Sequence, residues 1–161
     1  MKRFFIIAGI AWLTGCAPHA TQKVDIPPHM AKLVDNKDTT TYLSFESISL
    51  YNGNAHLRQF YLINNYKEAT VISKSDGVSI KSSSAINVIN CDRPERAIFD
   101  RVYFSELFAK GKVIAKRDSI GQWESFPEKS IAGIIREIVC NVPTEKLKDI
   151  SLKNKQQPLI H

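Results

Sequence analysis

Asparagine followed by glycine at positions 52 and 53 commits this chain to antiparallel sheet. Both residues tolerate the left-handed backbone of a two-residue hairpin turn, and runs rich in β-branched and aromatic residues flank them. Residues 47–51 and 55–63 are expected to pair across that turn. Along the second arm Ala55, Leu57, Gln59 and Tyr61 alternate with His56, Arg58, Phe60 and Leu62. Neither set is purely apolar, so which face is buried stays open. Further β-type runs cover 69–72, 85–91, 96–104 and 112–117. Turn residues separate them: the Asp-Gly segment 74–77, the polar stretch Lys81-Ser82-Ser83-Ser84 read as a loop, Asp92-Arg93-Pro94, and Gly111. The 96–104 run alternates Ile98, Asp100 and Val102 against Phe99, Arg101 and Tyr103, the pattern of a half-buried strand.

One helix is expected, late in the chain. Ile131, Ile134, Ile135 and Ile138 recur at i, i+3, i+4 and i+7, which puts four isoleucines on one face. Ser125 and Glu128 match a capping box, with Ser130 as a rival N-cap. Cys140 closes the periodic run and Pro143 follows as a stop. The predicted fold class is α+β: a small antiparallel β-sheet with a C-terminal amphipathic helix. The basic tail at 144–161 shows no core pattern beyond Leu147 and Ile150, and is expected to fray, with helix near its start.

The N-terminus carries an address. Lys2 and Arg3 precede residues 4–13, which bear no charge. That length suits the apolar region of a secretory signal and is too short to span a bilayer as a helix. The run ends Leu13-Thr14-Gly15-Cys16, which resembles the lipobox of bacterial lipoproteins. In that class the cysteine thiol is acylated and becomes the new N-terminus. Ala17 in place of Asp favours export to the outer membrane, by analogy with the class. An acylated Cys16 with diacylglycerol and N-acyl chains exceeds the two signals needed for stable anchoring. Residues 1–15 are thus expected to be a signal peptide and 16–38 a lipidated N-terminus and tether. Pro18, Pro27 and Pro28 keep that stretch extended. His19 and His29 are read as solvated tether residues rather than metal ligands. A folded domain is expected over 39–143.

The cysteine count follows from this. Three cysteines are an odd number. With Cys16 acylated, Cys91 and Cys140 remain, and a pair in an oxidising periplasm reads as a disulfide. Two buried free thiols are the alternative.

Composition narrows the function classes. At 161 residues, 43% hydrophobic and seven each of glycine and proline, the chain is neither disordered, collagen-like nor a cysteine-dense mini-protein. A mean hydropathy of -0.18 excludes a multi-span membrane protein. The formal charge is +6, but losing Lys2 and Arg3 with the leader leaves 20 basic against 16 acidic residues, or +4. That small excess, on an exported chain, gives no motive for nucleic-acid binding. No G-x-S-x-G, Walker-type loop, H-E-x-x-H or zinc-type Cys/His cluster occurs, so no enzyme, metal or cofactor is expected. Lys110, Lys112, Lys116 and Arg117 are the candidate partner-binding basic patch, against the alternative of a solvated strand edge where lysine blocks unwanted pairing.

Taken together, these residues resemble the surface-adhesin protein E family of Gram-negative outer-membrane lipoproteins. The matching features are the lipobox at Cys16, Ser47 with the Asn52-Gly53-Asn54 hairpin, and Ile89-Asn90-Cys91. Tyr103, Phe108 and a strand opening at Gly111 come next. Trp123, Pro127, Ser130 and the isoleucine-rich helix ending Val139-Cys140 complete the likeness, which covers residues 40–142. The resemblance implies a sheet and helix tied by Cys91 and Cys140, with Trp123 as a core anchor. It also implies binding to host extracellular-matrix or plasma proteins. The expected function is therefore a lipid-anchored, adhesin-like binding lipoprotein contacting host or envelope proteins. The alternative is a periplasm-facing structural or assembly lipoprotein with no host ligand. A second copy of the chain is kept open as a partner.

Overall fold

A computed structural model of the chain describes residues 24–73 and 78–150. Six strands follow one another in sequence and in space: β1 (Met30–Asp35), β2 (Thr39–Tyr51), β3 (Asn54–Ser73), β4 (Val78–Asn90), β5 (Glu95–Phe104) and β6 (Val113–Arg117). Each pairs antiparallel with the next, giving the order β1-β2-β3-β4-β5-β6. The short β7 (Glu124–Ser125) pairs with β5. The helix α1 (Ile131–Cys140), a 3-10 turn (Thr144–Lys146) and β8 (Lys148–Ile150) follow. β8 runs parallel to β2.

The Asn-Gly hairpin forms as the sequence demands: Tyr51 pairs with Asn54, and Asn52 and Gly53 have φ of 51° and 70°. The ambiguity of the second arm also has a cause, because both faces of β3 are covered. Phe60 packs with Leu43, Ile48 and Ile89 against Phe126, Ala132, Ile135 and Val139 on the helix side. Leu57 and Tyr61 pack on the opposite side with Tyr51, Ile86, Val88, Ala97 and Phe99. Trp123 joins this second cluster, and the neighbouring Gly121 lies so close to Phe99 that a Cβ there would stand 2.6 Å from the ring. A strand buried on both faces cannot show clean alternation.

Four expectations are corrected. Lys81-Ser82-Ser83-Ser84 is not a loop but the interior of β4, with all three serines buried. Two of their hydroxyls are satisfied locally: Ser82 Oγ donates to the Glu106 carbonyl and accepts from the Ala109 N–H, and Ser83 Oγ shares a hydrogen bond with Tyr66. Ordered backbone also starts earlier than Thr39, because β1 pairs Met30 with Ser44 and Asp35 with Thr40. The start of the C-terminal segment is not frayed, since the 3-10 turn leads into β8. Arg58, buried in β3, donates to the Thr144 hydroxyl and so ties that turn to the sheet.

The fourth correction concerns the helix. Ser130 is the N-cap, its hydroxyl accepting from the Gly133 N–H at 3.3 Å, so the rival to the capping box prevails. The buried face is Ala132, Ile135 and Val139, whereas Ile131 and Ile134 are 52% and 55% exposed. At about 100° per residue the helix is turned roughly a quarter revolution away from its isoleucine face. The bonds at its far end explain the turn. Cys140 is joined to Cys91 with Cα atoms 5.7 Å apart, and Arg136 donates to the carbonyls of Asn90 and Cys91. These three contacts draw the 136/140 side toward the end of β4.

Among the described residues no helix is long and apolar enough to cross a membrane. Cys16, His19 and the 74–77 turn lie outside the described residues.

Candidate functional site

The connection between β5 and β6, residues 105–112, folds back over the sheet. Phe108 and Ala109 are consecutive non-glycine residues in the left-handed region, at φ 59° and 57°, and Gly111 follows at 77°. Such residues cost of order 1–3 kcal/mol each and persist only where surroundings hold them. Here the holders are side chains of the sheet. The Phe108 N–H donates to Asn65 Oδ1 at 2.8 Å, and the Ala109 N–H donates to Ser82 Oγ at 3.0 Å. Ser105 closes the loop at its base, donating its N–H to the Lys112 carbonyl and accepting the Lys112 N–H on its hydroxyl. The Phe108 ring meets Tyr42 edge-on, centroids 5.0 Å apart, above Ile63.

This pinned loop walls a cleft of about 630 Å³. Buried Tyr42, Asn65 and Phe108 make its floor, and exposed Lys67, Lys81, Lys110 and Glu106 stand around its rim. Lys67 is held by Asp35 across the sheet at 2.6 Å. The remaining rim therefore sets the ammonium groups of Lys81 and Lys110 against one carboxylate, and suits a ligand that is apolar in body and anionic at one end. Sequence reasoning found Lys110 but not Lys67, Lys81, Tyr42 or Phe108. Only the pairing of β3 with β4 and the fold-back of the loop bring these together.

Asp35 carries a shifted acid. Hydrogen bonds from Lys67, then Thr40, then Lys32 hold its carboxyl at about 2, below the ordinary carboxylate value of about 3.9. A depressed native pKa contributes stability that is present above the unfolded value and lost as pH falls toward the native one. The expected result is a decline in urea midpoint between pH 4 and 2 that is shallower in Asp35→Asn. Superimposed acid limbs for the two proteins would show that Asp35 contributes nothing.

The proposed basic residues are spread along one edge. Lys110 reaches the cleft, Lys112 anchors the loop base through its backbone, and Lys116 and Arg117 are neighbours on β6. Adjacent strand residues leave opposite faces of a sheet. Lys116 therefore shares a face with Val102, its partner on β5, and Arg117 shares the other with Arg101. His56 is not isolated: its Nδ1 lies 2.9 Å from Asp92. His29 stands 3.5 Å from Glu46, and among the described residues no group of three or more His, Cys, Asp or Glu side chains could hold a metal.

The molecule is an antiparallel meander with one helix disulfide-bonded just past the fourth strand and a cleft walled by a pinned loop. The chain belongs to the surface-adhesin protein E family, whose pattern matches residues 29–141. Membership makes it an adhesin-like protein of the cell surface or envelope. Its fold is similar to that of Haemophilus influenzae protein E. The selenomethionine form superposes with a TM-score of 0.64 at 16% identity, covering 75% of this chain and 92% of that one. Protein E from non-typeable Haemophilus influenzae gives 0.64 at 17% identity, covering 78% and 84%. At such identities the likeness is one of fold.

Proposed function

We propose that this chain is a lipid-anchored outer-membrane protein that acts by binding, its domain held off the membrane by a short tether and contacting host or other envelope proteins. The family match over residues 29–141 carries the reading. The Leu13-Thr14-Gly15-Cys16 sequence supports the anchor, with residues 1–15 as the leader and Cys16 as the acylated residue. The pinned 105–112 loop supports binding, because a contact surface ordered in advance loses little entropy when a partner docks. Lys110, Lys112, Lys116 and Arg117 are the proposed contact residues at that edge.

Two experiments test this. Metabolic palmitate labelling is expected to mark the wild-type chain and to disappear in Cys16→Ala, with unprocessed precursor accumulating. Label that survives the substitution overturns the anchor. Protease treatment of intact cells is expected to remove the domain. A domain untouched until the outer membrane is broken faces the periplasm, which overturns host adhesion in favour of a structural or assembly role within the envelope.

A further inference from the structure

We propose that the free edge of β6 receives an extended acidic segment of a partner protein by strand addition, with Arg101 and Arg117 reading its carboxylates. The proposal deepens the binding reading above and rests on it for the existence of a protein partner.

The register supplies the first observation. Ala31, Leu43, Leu62, Ala85, Arg101 and Arg117 are successive cross-strand partners, one from each strand from β1 to β6. Leu43 and Leu62 belong to the helix-side core, so this row ends, past Ala85, with two arginines paired across the strands on the same face. Like charges directly opposite each other in an antiparallel pair are destabilising. The same strand shows the opposite arrangement elsewhere: Arg96 of β5 stands opposite Glu124 of β7. At Arg101 the partner is another arginine, and neither Arg101 nor Arg117 makes an ion pair with a described carboxylate. Asp100, bulged out of the β4–β5 register just before Arg101, receives the Ser119 N–H. A guanidinium fork matches a carboxylate with two parallel hydrogen bonds, so an incoming acid relieves the repulsion and is held in a fixed orientation.

The second observation is the edge itself. β6 ends the sheet order, and among the described residues no strand pairs with its outer side. An edge strand presents unpaired N–H and C=O groups to which an extended chain can add. Val113, half exposed at 51%, offers an apolar contact at the start of that edge. The loop leading into β6 is locked by Asn65, Ser82 and Ser105, so the edge is rigid before the partner arrives. A strand added beside β6 places every second side chain on the Arg117 face. Tyr103 and Ala115 share that face one row away. A protein segment is favoured over a sulfated glycan because an unpaired backbone edge has no use in binding a sugar chain.

The test uses the full chain purified in detergent and a fluorescent synthetic peptide of alternating threonine and glutamate, read by anisotropy. The peptide is expected to bind. Arg101→Gln with Arg117→Gln should weaken it about tenfold or more. Lys37→Gln, exposed in the turn between β1 and β2 at the opposite border of the sheet, should change affinity by less than about twofold. A peptide N-methylated at alternate residues keeps its charges but cannot pair along the edge, and should bind at least about tenfold more weakly. Far-UV circular dichroism confirms that each variant is folded. No binding of the parent peptide, binding indifferent to the arginines, or equal binding of the N-methylated peptide each overturns the proposal. So does a heparin oligosaccharide that occupies the same arginines more tightly than the peptide. Failure here with the domain on the cell surface overturns the edge alone; a domain facing the periplasm overturns adhesion and leaves the peptide test standing.

Discussion

Replacing both Cys91 and Cys140 by serine is expected to cost about 4 kcal/mol of stability, the value the chain-entropy model gives for a loop of about 50 residues. The two cysteines are 49 positions apart, and the loop between them spans β5, β6, β7 and the helix. Without the bond the unfolded chain regains the freedom of that whole segment. The helix also loses the anchor that sets its rotation, leaving Arg136 as the remaining tie to the end of β4. For a domain whose urea slope is about 2 kcal/mol/M the midpoint should fall by about 2 M. Reductant should move the wild type to the same midpoint and leave the double variant where it is. A wild-type midpoint indifferent to reductant would show that the bond does not constrain the fold.

Gly133→Ala is expected to destabilise the protein by about 3 kcal/mol, against the usual sign for this substitution. In an exposed helix interior alanine is better than glycine by about 1 kcal/mol. At position 133, however, a Cβ would sit 1.8 Å from the carbonyl oxygen of Glu128 and 2.6 Å from its carbon. Backbone cannot swing aside as a long side chain can, so either the helix start or the 126–129 segment must move. That segment includes Phe126, which packs under the helix beside Ala132 and Ile135. Urea melts of the two proteins decide the sign. A more stable Gly133→Ala protein would mean that the close approach at the helix start is absent in solution.

What the sequence disclosed was the part written locally. The Asn52-Gly53 turn needs only its own dihedral angles, and it formed where expected, although the pairing slips just beyond it and sets Leu50 opposite Arg58. The cysteine pair could be deduced by subtraction, since the third cysteine sits in the lipobox-like segment. The helix declared its existence through its isoleucines but not its rotation, because Cys140 and Arg136 decide that through contacts with β4. Ser82, Ser83 and Ser84 read as a loop because small polar residues are turn formers; inside β4 Ser82 holds the 105–112 loop against the sheet and Ser83 bonds Tyr66. β1 and β8 escaped notice for a different reason. Both are held by β2, and nothing in their own composition marks the pairing.

The site was legible to the same extent. Lys110, Lys112, Lys116 and Arg117 stand out as a basic run that leads into and along an edge strand. Their division between two faces follows from simple alternation, but Arg101 does not follow at all. The β5–β6 register slips between Tyr103 and Phe104, so counting back from the turn does not reveal that Arg101 lands opposite Arg117. The cleft is further from view, since Tyr42, Lys67, Lys81 and Phe108 come from four separate segments.

The sequential strand order has a geometric consequence. β1 and β6 are opposite borders of one sheet, five inter-strand spacings apart. At about 4.8 Å per spacing they are separated by about 24 Å, before curvature is counted. In a protein fastened to a bilayer at Cys16, the chain arrives from the membrane at the β1 border. The arginines of the proposed β6 edge then lie across the width of the sheet from the border at which the chain enters it.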